Sequence, residues 1–398
     1  MTALSDRPAV FISGARQAGK STLALHLSKN GHPAAYYTFD DLAVYSQAKS
    51  DPVGFIAGLH EDVILDEIQR VPELFYAIKA AVDKNRTPGR FLMTGSANIM
   101  VLPELSDALV GRMEMIPLEP LAMAEILDYK GDRINSLFSN DPIKVTNCNG
   151  AESDLLKWIV TGGYPELQKI QSKRCSAWFD AYLSTIIQRD LRELSNIQGL
   201  AELPRLLRIL SAQTGQLLNF AGLSRSTGIE QKTLKRFVTL LQGLYIINLL
   251  PAWSPNIGKR MIKTAKVFFR DTGILVHLLG HIISRHSDQF GHVLENFILM
   301  ELTKQASWSS VNPQIFYYRT AGGSEVDIIL EHPDGRIVAI EVKGQSTLKP
   351  NAAGPMKNLQ SQIKHKFHRG IILYLGEHMI PIDQHIQAVP TSWLFPSD

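Results

Sequence analysis

Apolar and polar positions along the chain repeat with two different periods. Short apolar runs typical of buried strands, AVFISG (9–14), DVILDE (62–67) and FLMTGSAN (91–98), alternate with stretches of helical period such as STLALHLSKN (21–30). Strands that alternate with helices in this way form parallel sheets, because each helix returns the chain to the same edge. The first 130 residues therefore predict an α/β domain built on a parallel sheet.

The loop between the first strand and the first helix reads GARQAGKST (14–22) and fits the phosphate-loop pattern G-x-x-x-x-G-K-[ST]. Such a loop closes its backbone N–H groups on phosphates, which also meet the N-terminus of the helix. We expect Lys20 to pair with β- and γ-phosphate oxygens and Ser21 to ligate Mg²⁺. ATP and Mg²⁺ are therefore the predicted cofactors. The predicted nucleotide-binding residues are Gly14, Ala15, Arg16, Gln17, Ala18, Gly19, Lys20, Ser21, Thr22, Thr94 and Ser96.

Two later strands end in polar residues that suit the same site. Asp66 and Glu67 end the second apolar run, where an aspartate would hold Mg²⁺ and a following glutamate would orient the attacking water. Glu67 therefore favours hydrolysis over binding alone. Thr94 or Ser96, at the end of the next strand, could report the state of the γ-phosphate or could belong to an ordinary strand-to-loop transition.

This order of elements is that of AAA+ and related ATPases, and it leaves two roles open for Arg112. An arginine just ahead of the following apolar strand can reach a neighbouring subunit's γ-phosphate as an arginine finger, or it can be an ordinary salt-bridged residue. The finger role requires an assembly. A homo-oligomer is therefore predicted, with a hexameric ring as the form typical of AAA+ proteins.

Several stretches resemble a family of bacterial and archaeal AAA+-type ATPases: GARQAGKSTL, ILDEIQRVPELF, FLMTGSAN and LVGRMEMIPLEPLAMAEI. The resemblance continues in TGGYPE (161–166), YLSTIIQRDL (182–191) and VFFRDTGI (267–274), so it covers essentially the whole chain. It implies an AAA+ ATPase followed by a conserved C-terminal region of poorly understood function that resembles a nuclease fold.

The stretch from 154 to 195 has helical period and is predicted to form a small lid over the nucleotide. Arg189 or Arg192 could sense phosphate from that lid. Alternatively, the two arginines pair with Asp190 or Glu193 on a solvated face, which is the interpretation we favour.

Residues 203–253 predict three helices, and two strand-like runs then flank the basic loop SPNIGKRMIK (254–263). This is the order of a winged helix, which places its last helix in the major groove of DNA. Between Leu203 and Arg270 there are eleven Lys or Arg and one acid, Glu230, a net charge of +10 in a chain of +3. Such asymmetry predicts a polyanionic partner, although the same fold also serves protein contacts or a rigid lid. The predicted DNA-contacting residues are Lys232, Lys235, Arg236, Lys259, Arg260 and Lys263.

From residue 291 the pattern predicts a helix, three strands, a helix and a strand, with a hairpin turn at 332–335. Glu341 and Lys343 are two apart on one strand and share a face, and Asp327 can lie beside them across the hairpin. Acids that hold Mg²⁺ beside a lysine resemble the PD-(D/E)xK nuclease superfamily, with Glu295 as a further acid. The module is either a nuclease or a retained binding fold. Over the whole chain, the predicted metal ligands are Ser21, Asp66, Asp327 and Glu341.

The composition indicates the class of protein and the cellular compartment. The 398 residues are 45% hydrophobic and 20% charged, as expected for a soluble multidomain protein. Two cysteines outside any metal-ligand spacing fit a reducing cytosol, and no apolar run is long enough to span a bilayer, so a cytoplasmic location without membrane contact is predicted. The predicted domains are the P-loop AAA+ ATPase (1–130), a linker and helical lid (131–202), the winged helix (203–280) and a restriction-endonuclease-like α/β domain (285–398).

Two functions follow from these features. The first is an ATP-hydrolysing motor or remodeller acting on duplex or branched DNA in repair, recombination or defence, with a metal-dependent nuclease. The second is an ATP-controlled regulatory or toxin/defence-type binding protein whose nuclease-like domain only binds partners or nucleic acid. A small-molecule kinase is disfavoured because Glu67 suits hydrolysis. The predicted catalytic residues are Lys20, Glu67, Arg112, Asp327, Glu341 and Lys343.

Overall fold

The structure is a computed structural model that describes residues 1–96, 111–143, 151–191, 200–280 and 283–395. The chain divides into two compact units. The first contains Met1–Pro120, Tyr182–Leu200 and Lys235–Ile246, and the second contains Leu121–Ala181, Ala201–Leu234 and Ile247–Asp398. None of the helices in the described ranges is long and apolar enough to cross a membrane.

The first unit is built on a five-stranded sheet in the order β2-β3-β4-β1-β5, in which every pair of neighbouring strands is parallel. This agrees with the predicted alternation of strands and helices. The strands are β1 (Ala9–Gly14), β2 (Ala35–Thr38), β3 (Val63–Asp66), β4 (Phe91–Gly95) and β5 (Met113–Leu118). The helices are α1 (Thr2–Asp6), α2 (Lys20–Lys29), α3 (Leu42–Ser50), α4 (Pro52–Ala57) and α5 (Leu74–Lys84).

Apolar side chains cover both faces of this sheet, as a parallel sheet requires. Alternation along β1 sends Phe11 into a cluster with residues of α4 and α5, whereas Val10 and Ile12 pack with Ala24 of α2. The strands are therefore fixed from both sides. Their carboxyl ends, where the polar residues lie, meet at one edge of the sheet.

The second unit begins with helices α6 (Met123–Ile126), α7 (Arg133–Phe138), α8 (Ala151–Thr161) and α9 (Ser172–Thr185), the last of which runs into the first unit. The predicted winged-helix order then follows. It consists of α10 (Leu203–Ala212), α11 (Phe220–Thr227), α12 (Gln231–Gly243) and the antiparallel pair β6 (Ile247–Leu250) and β7 (Lys266–Phe269). The division between the units falls within α12. Helices α13 (Ile257–Ile262) and α14 (Thr272–Leu279) complete this part.

A separate six-stranded sheet forms the C-terminal part of the second unit, in the order β12-β13-β11-β10-β9-β8. Strands β8, β9 and β10 are antiparallel to one another, and β10, β11 and β13 are parallel. The elements are α15 (Phe290–Trp308), β8 (Gln314–Arg319), β9 (Glu325–Glu331), β10 (Ile337–Lys343), α16 (Gly354–Ile363), β11 (Phe367–Tyr374), β12 (Ile380–Pro381) and β13 (Ile386–Pro390). Up to β11 this is the predicted order. The β9–β10 turn lies where the sequence placed it, because Gly335 has a φ of 90°, which favours glycine.

Candidate functional site

The phosphate loop leaves β1 at a position with room only for glycine. A Cβ atom at Gly14 would lie 2.1 Å from the carbonyl oxygen of Leu118 on the neighbouring strand. Farther along, Gln17 and Gly19 have φ values of 59° and 102°. Left-handed residues between right-handed ones turn successive backbone N–H groups into an anion-binding concavity. The loop therefore has the backbone form of a phosphate site.

Lys20 begins α2 and is buried beneath this loop. Its Nζ donates to the carbonyl oxygens of Gly14 and Ala15, at 3.1 and 2.8 Å. These bonds hold the ammonium group against the concavity, which is the position from which a lysine can reach phosphate oxygens. Around the loop, Ala15 and Ala18 are buried, and Arg16, Gln17 and Thr22 are at least partly exposed.

Asp66 at the end of β3 is the centre of the hydrogen bonds in this site. Ser21 Oγ donates to Asp66 Oδ1 at 2.7 Å, and Tyr36 OH donates to Asp66 Oδ2 at 2.8 Å. Thr94 Oγ1 donates to the same Oδ1 atom at 2.5 Å. The two predicted Mg²⁺ ligands, Ser21 and Asp66, are thus in direct contact. Their hydroxyl and carboxylate oxygens are of the kind that Mg²⁺ prefers.

Tyr36 is a member of this site that sequence reasoning missed. Burial and the hydrogen bond to Asp66 raise the pKa of the Tyr36 phenol, so it stays protonated and remains a donor. The sequence around Tyr36 does not indicate this role. Tyr36 comes near Asp66 because β2 pairs with β3, in a register that places Tyr36 opposite Ile64.

Glu67 directly follows Asp66 and has an unusual backbone. Its φ of 59° lies in the left-handed region, which costs free energy for a residue with a side chain. The Glu67 N–H donates to Thr94 Oγ1 at 3.2 Å, so the buried Thr94 braces this turn. Gln69 Nε2 donates both to Glu67 Oε2 and, at 3.0 Å, to Ser96 Oγ. Glu67, Gln69 and Ser96 form one chain of hydrogen bonds.

Gln69 is the second site residue that sequence reasoning missed, although it lies two residues after Glu67. Room for its side chain comes from Gly95, because a Cβ there would lie 2.8 Å from Gln69 Oε1. That oxygen is buried and has no hydrogen-bond partner among the described residues. Buried acceptors are nearly always paired, so a water molecule or a ligand group is the natural partner for this one.

Arg112 and Arg189 both take part in ion pairs within the first unit. Arg112 Nε lies 2.6 Å from Asp83 Oδ1, and its Nη2 lies 3.0 Å from Oδ2. This hydrogen bond lowers the pKa of the Asp83 carboxyl. Arg189 Nη2 lies 3.4 Å from Asp40 Oδ1, which Arg70 also contacts at 2.8 Å. The alternative partners weighed for Arg189, the Asp190 side chain and Glu193, lie outside the described residues, as does Arg192.

Most of the predicted DNA-contacting residues lie at the surface. On α12, the side chains of Lys232, Lys235 and Arg236 are exposed while Leu234 and Phe237 are buried. The helix is thus amphipathic, with its charges on the solvent side. Lys259 and Lys263, between β6 and β7, are exposed as well. The sequence predicts a loop at 254–263, but Asn256 caps helix α13 by accepting the N–H of Lys259, so Lys259 lies on a helix.

Arg260 differs from the other predicted DNA contacts. Its guanidinium pairs with both carboxylate oxygens of Glu331, at 2.5 and 2.8 Å, and donates to the Ser254 carbonyl at 2.6 Å. It also packs over the rings of Trp253 and Phe316. The charge of Arg260 is therefore already neutralised, and the side chain fixes the segment 254–263 to the C-terminal sheet.

Asp327 and Glu341 lie on the neighbouring strands β9 and β10 of the C-terminal sheet. Lys343 Nζ donates to Glu341 Oε1 at 2.6 Å, and Asp327 Oδ2 accepts the N–H of Val342 at 2.8 Å. Burial, Glu295 and Glu341 together raise the pKa of Asp327 well above its usual range. Burial likewise raises the pKa of Glu341. Repulsion by Glu295 contributes to both pKa shifts.

A second lysine, which sequence reasoning missed, enters this cluster from β7. Lys266 is 2% exposed, and its Nζ lies 3.0 Å from Glu295 Oε1 and 2.5 Å from Glu325 Oε1. These carboxylates and Asp327 outweigh the effect of burial and raise the pKa of the Lys266 ammonium. Lys266 is therefore charged.

The predicted metal ligands of this cluster are all engaged by donors of the protein. Mg²⁺ requires near-octahedral oxygen ligands, but one oxygen each of Asp327, Glu341 and Glu295 is already taken by a donor from the protein. Glu341 Oε2 is the buried oxygen left without a partner. Across the described ranges, no group of three or more His, Cys, Asp or Glu is arranged to hold a metal ion.

Three of the stretches that carry the family resemblance meet around Asp271. Its carboxylate accepts the N–H of Gly163 at 2.7 Å and that of Ile274 at 3.2 Å. A Cβ at Gly162 or Gly273 would lie 2.2 or 3.0 Å from Asp271 Oδ1. TGGYPE and VFFRDTGI therefore form a buried structural junction in the second unit.

Helix α15 ties the stretch PLAMAEI to this junction. Glu301 Oε2 accepts the N–H of Met123 at 2.8 Å, and Lys304 Nζ donates to the Leu121 carbonyl at 3.0 Å. Lys304 also lowers the pKa of Asp271, against the larger raising effect of burial. The motifs are thus explained by internal hydrogen bonding.

The sheet order, the phosphate loop and the contact between Ser21 and Asp66 give the first unit the fold and the phosphate loop of an AAA+-type P-loop domain. Residues 6–127 match the family described as an AAA domain. Residues 152–282 and 290–394 match two families described only as domains of unknown function, DUF8612 and DUF4143.

The chain belongs to the same family as the uncharacterized protein Rv2008c of Mycobacterium tuberculosis, to which it is 31% identical over 392 residues, 98% of this chain and 81% of the relative. The uncharacterized protein MJ1544 of Methanocaldococcus jannaschii is 23% identical over 280 residues, 68% of this chain and 58% of that protein. Among solved structures, a point variant of Thermotoga maritima RuvB aligns with 63% of this chain and 87% of its own, at 19% identity and a TM-score of 0.30.

Proposed function

We propose that this protein binds ATP with Mg²⁺ at the phosphate loop, hydrolyses it, and uses the cycle to act as a motor or remodeller on DNA bound by its winged helix. The observation that carries the proposal is the hydrogen-bond chain at the strand ends. Ser21 and Asp66 supply Mg²⁺ ligands, and Glu67 lies beside them. This combination of groups suits an enzyme that hydrolyses ATP better than a protein that only binds it.

The chemistry assigned to the residues follows from their positions. Lys20 and the loop N–H groups would bind the β- and γ-phosphates, and Mg²⁺ when bound would neutralise charge on the same oxygens. Glu67 would position the attacking water by accepting a hydrogen bond from it. As the water attacks, Glu67 would accept its proton, as a general base does. Gln69, which bonds to Glu67, would fix that carboxylate and offer its unpaired Oε1 to the same water.

Nucleic acid is the proposed substrate because of the charge in the winged-helix region. Lys232, Lys259 and Lys263 are exposed in the second unit, and Lys235 and Arg236 are exposed in the first. Such side chains suit phosphate contacts, which give affinity that falls steeply with salt. The form of DNA is proposed as duplex or branched, since a winged helix reads a groove.

The test is steady-state ATP hydrolysis by the full chain with single-stranded, duplex and branched DNA. Duplex or branched DNA is expected to raise the rate, and the Lys20→Ala chain is expected to hydrolyse no ATP with or without DNA. An ATPase rate that no nucleic acid changes would contradict the DNA part of the proposal while leaving ATP hydrolysis intact.

A self-assembled ring is proposed as the working form, with Arg112 reaching a neighbouring subunit's nucleotide once its pair with Asp83 opens. Size measurement with and without a non-hydrolysable ATP analogue tests this. A monomer in both conditions would remove the finger role and leave Arg112 as a salt-bridge residue.

A second function is favoured by one observation, the lysine inside the C-terminal carboxylate cluster. Lys266 makes this module better suited to binding than to cleavage. The protein would then be an ATP-controlled regulator, and its ATPase rate would respond to a protein partner instead of DNA.

A further inference from the structure

The C-terminal sheet contains the residue set of a metal-dependent nuclease, yet a positive charge of the protein itself lies among them. Asp327, Glu341 and Lys343 are in the expected elements, and Glu295 projects from α15. Lys266 comes from β7, outside the sheet that carries the carboxylates. Its ammonium contacts one oxygen of Glu295.

We infer that Lys266 is the resident cation of this cluster and takes the place of a divalent metal, so that the module binds no Mg²⁺ and cleaves no phosphodiester.

The balance of charge supports this inference. The cluster contains four carboxylates: Glu295 and Glu325, which Lys266 contacts at 3.0 and 2.5 Å, and Asp327 and Glu341 on β9 and β10. Two lysines, Lys266 and Lys343, lie among them. The guanidinium of Arg319 pairs with Glu325 at 3.2 Å as well. A divalent ion needs a surplus of negative charge to offset its lost hydration, and these cations remove most of that surplus.

The backbone fixes Lys266 where it is. Its strand pairs with β6 in register with Leu250, and a further bridge joins it to Leu217. The Tyr317 ring lies 5.5 Å from the ammonium group. The side chain is almost fully buried and its ammonium is paired with Glu295 and Glu325, so a metal ion could enter only by breaking these ion pairs.

The test uses manganese binding by calorimetry and by electron paramagnetic resonance on the full chain without nucleotide, where the phosphate-loop site lacks its phosphate ligands. The wild-type chain is expected to show no manganese site that depends on Glu341. Lys266→Met is expected to gain one, at least tenfold tighter than any site of the wild type, and Lys266→Met with Glu341→Gln is expected to lose it.

Two control variants separate charge from general disturbance. Lys266→Arg keeps a cation in the cluster and should gain no manganese site, and Lys357→Met removes an exposed lysine of α16 and should behave as the wild type.

A wild-type manganese site that Glu341→Gln or Asp327→Asn abolishes would overturn the inference. A folded Lys266→Met chain that gains no manganese would overturn it too, because the lysine would then not be what fills the site. If Lys266→Met does not fold, the comparison of wild type with Glu341→Gln still decides. ATP hydrolysis by the same samples is a separate readout, so failure here is distinguishable from failure of the proposed ATPase.

Discussion

At the scale of single residues, Glu67 carries the proposed hydrolysis. It adopts a left-handed backbone that glycine would hold at lower cost, and two hydrogen bonds over-determine it, one from its own N–H to Thr94 and one from Gln69 to its carboxylate. A residue whose backbone is kept in a costly conformation by its neighbours is typical of a functional position.

Glu67→Gln is expected to leave nucleotide binding intact and to lower kcat by about 10²–10⁴-fold, since the loss of a general base has that effect. Fluorescent nucleotide binding and phosphate release measure the two parts. Glu73→Gln, an exposed residue at the start of α5, is the control. A variant that keeps wild-type kcat would show that Glu67 is not the base.

Gln69→Leu removes the amide that positions Glu67, and we expect kcat to fall about tenfold with little change in KM, as for one hydrogen bond to a charged group. Ser96→Ala should cause part of the same loss, and the double variant should lose less than the sum because the bonds form one chain. Gln47→Leu on the exposed side of α3 is the control. Unchanged kcat in Gln69→Leu would contradict the positioning role.

At the scale of elements, the phosphate loop and the hairpin could be predicted because each has a local signal. Glycine and lysine at fixed spacing mark the loop, and His332-Pro333-Asp334-Gly335 marks the turn. Tyr36 and Lys266 could not be predicted, because each reaches its partner only through strand pairing or packing across a large sequence separation. Gln69 is close to Glu67 in sequence, but its bond to Ser96, 27 residues away, depends on the folded sheet. Arg260 was assigned to DNA from its charge, yet it pairs with Glu331, 71 residues away.

The junction around Asp271 gives an element-scale prediction. Gly162→Ala should destabilise the chain by about 1–3 kcal/mol more than Gly280→Ala, because overpacking adds to the cost of a left-handed alanine. Both glycines have a φ of 71°, but only at Gly162 does a Cβ meet Asp271, at 2.2 Å, whereas none of the described atoms lies within 4 Å at Gly280. Urea unfolding measures the difference. Equal losses would show that the junction is loosely packed.

At the scale of the whole molecule, the uneven charge is the feature that points to a partner. The segment Leu203–Arg270 carries a formal charge of +10 and the rest of the chain −7. Arg260 and Lys266 of this segment pair with carboxylates outside it, so the excess that a partner could meet comes from the other basic residues. The net charge of +3 alone would not have suggested nucleic acid.

Lys232→Ala is expected to weaken duplex binding about equally for all sequences and to reduce the slope of log K against log salt by about one, as for one lost phosphate contact. Fluorescence anisotropy at several salt concentrations measures the slope. Lys357→Ala on α16, outside the basic segment, should leave it unchanged. A wild-type affinity that does not depend on salt would favour the protein-binding alternative.

The central claim is that the phosphate loop and the ends of β3 and β4 form an ATP-hydrolysing site. The most direct measurement is phosphate release from Mg²⁺-ATP by the purified full chain, beside Lys20→Ala and the exposed-lysine control Lys29→Ala. We predict multiple turnovers for the wild type and for Lys29→Ala, and none for Lys20→Ala. Turnover that survives Lys20→Ala, or a wild-type chain that releases no phosphate with or without DNA, would contradict the account.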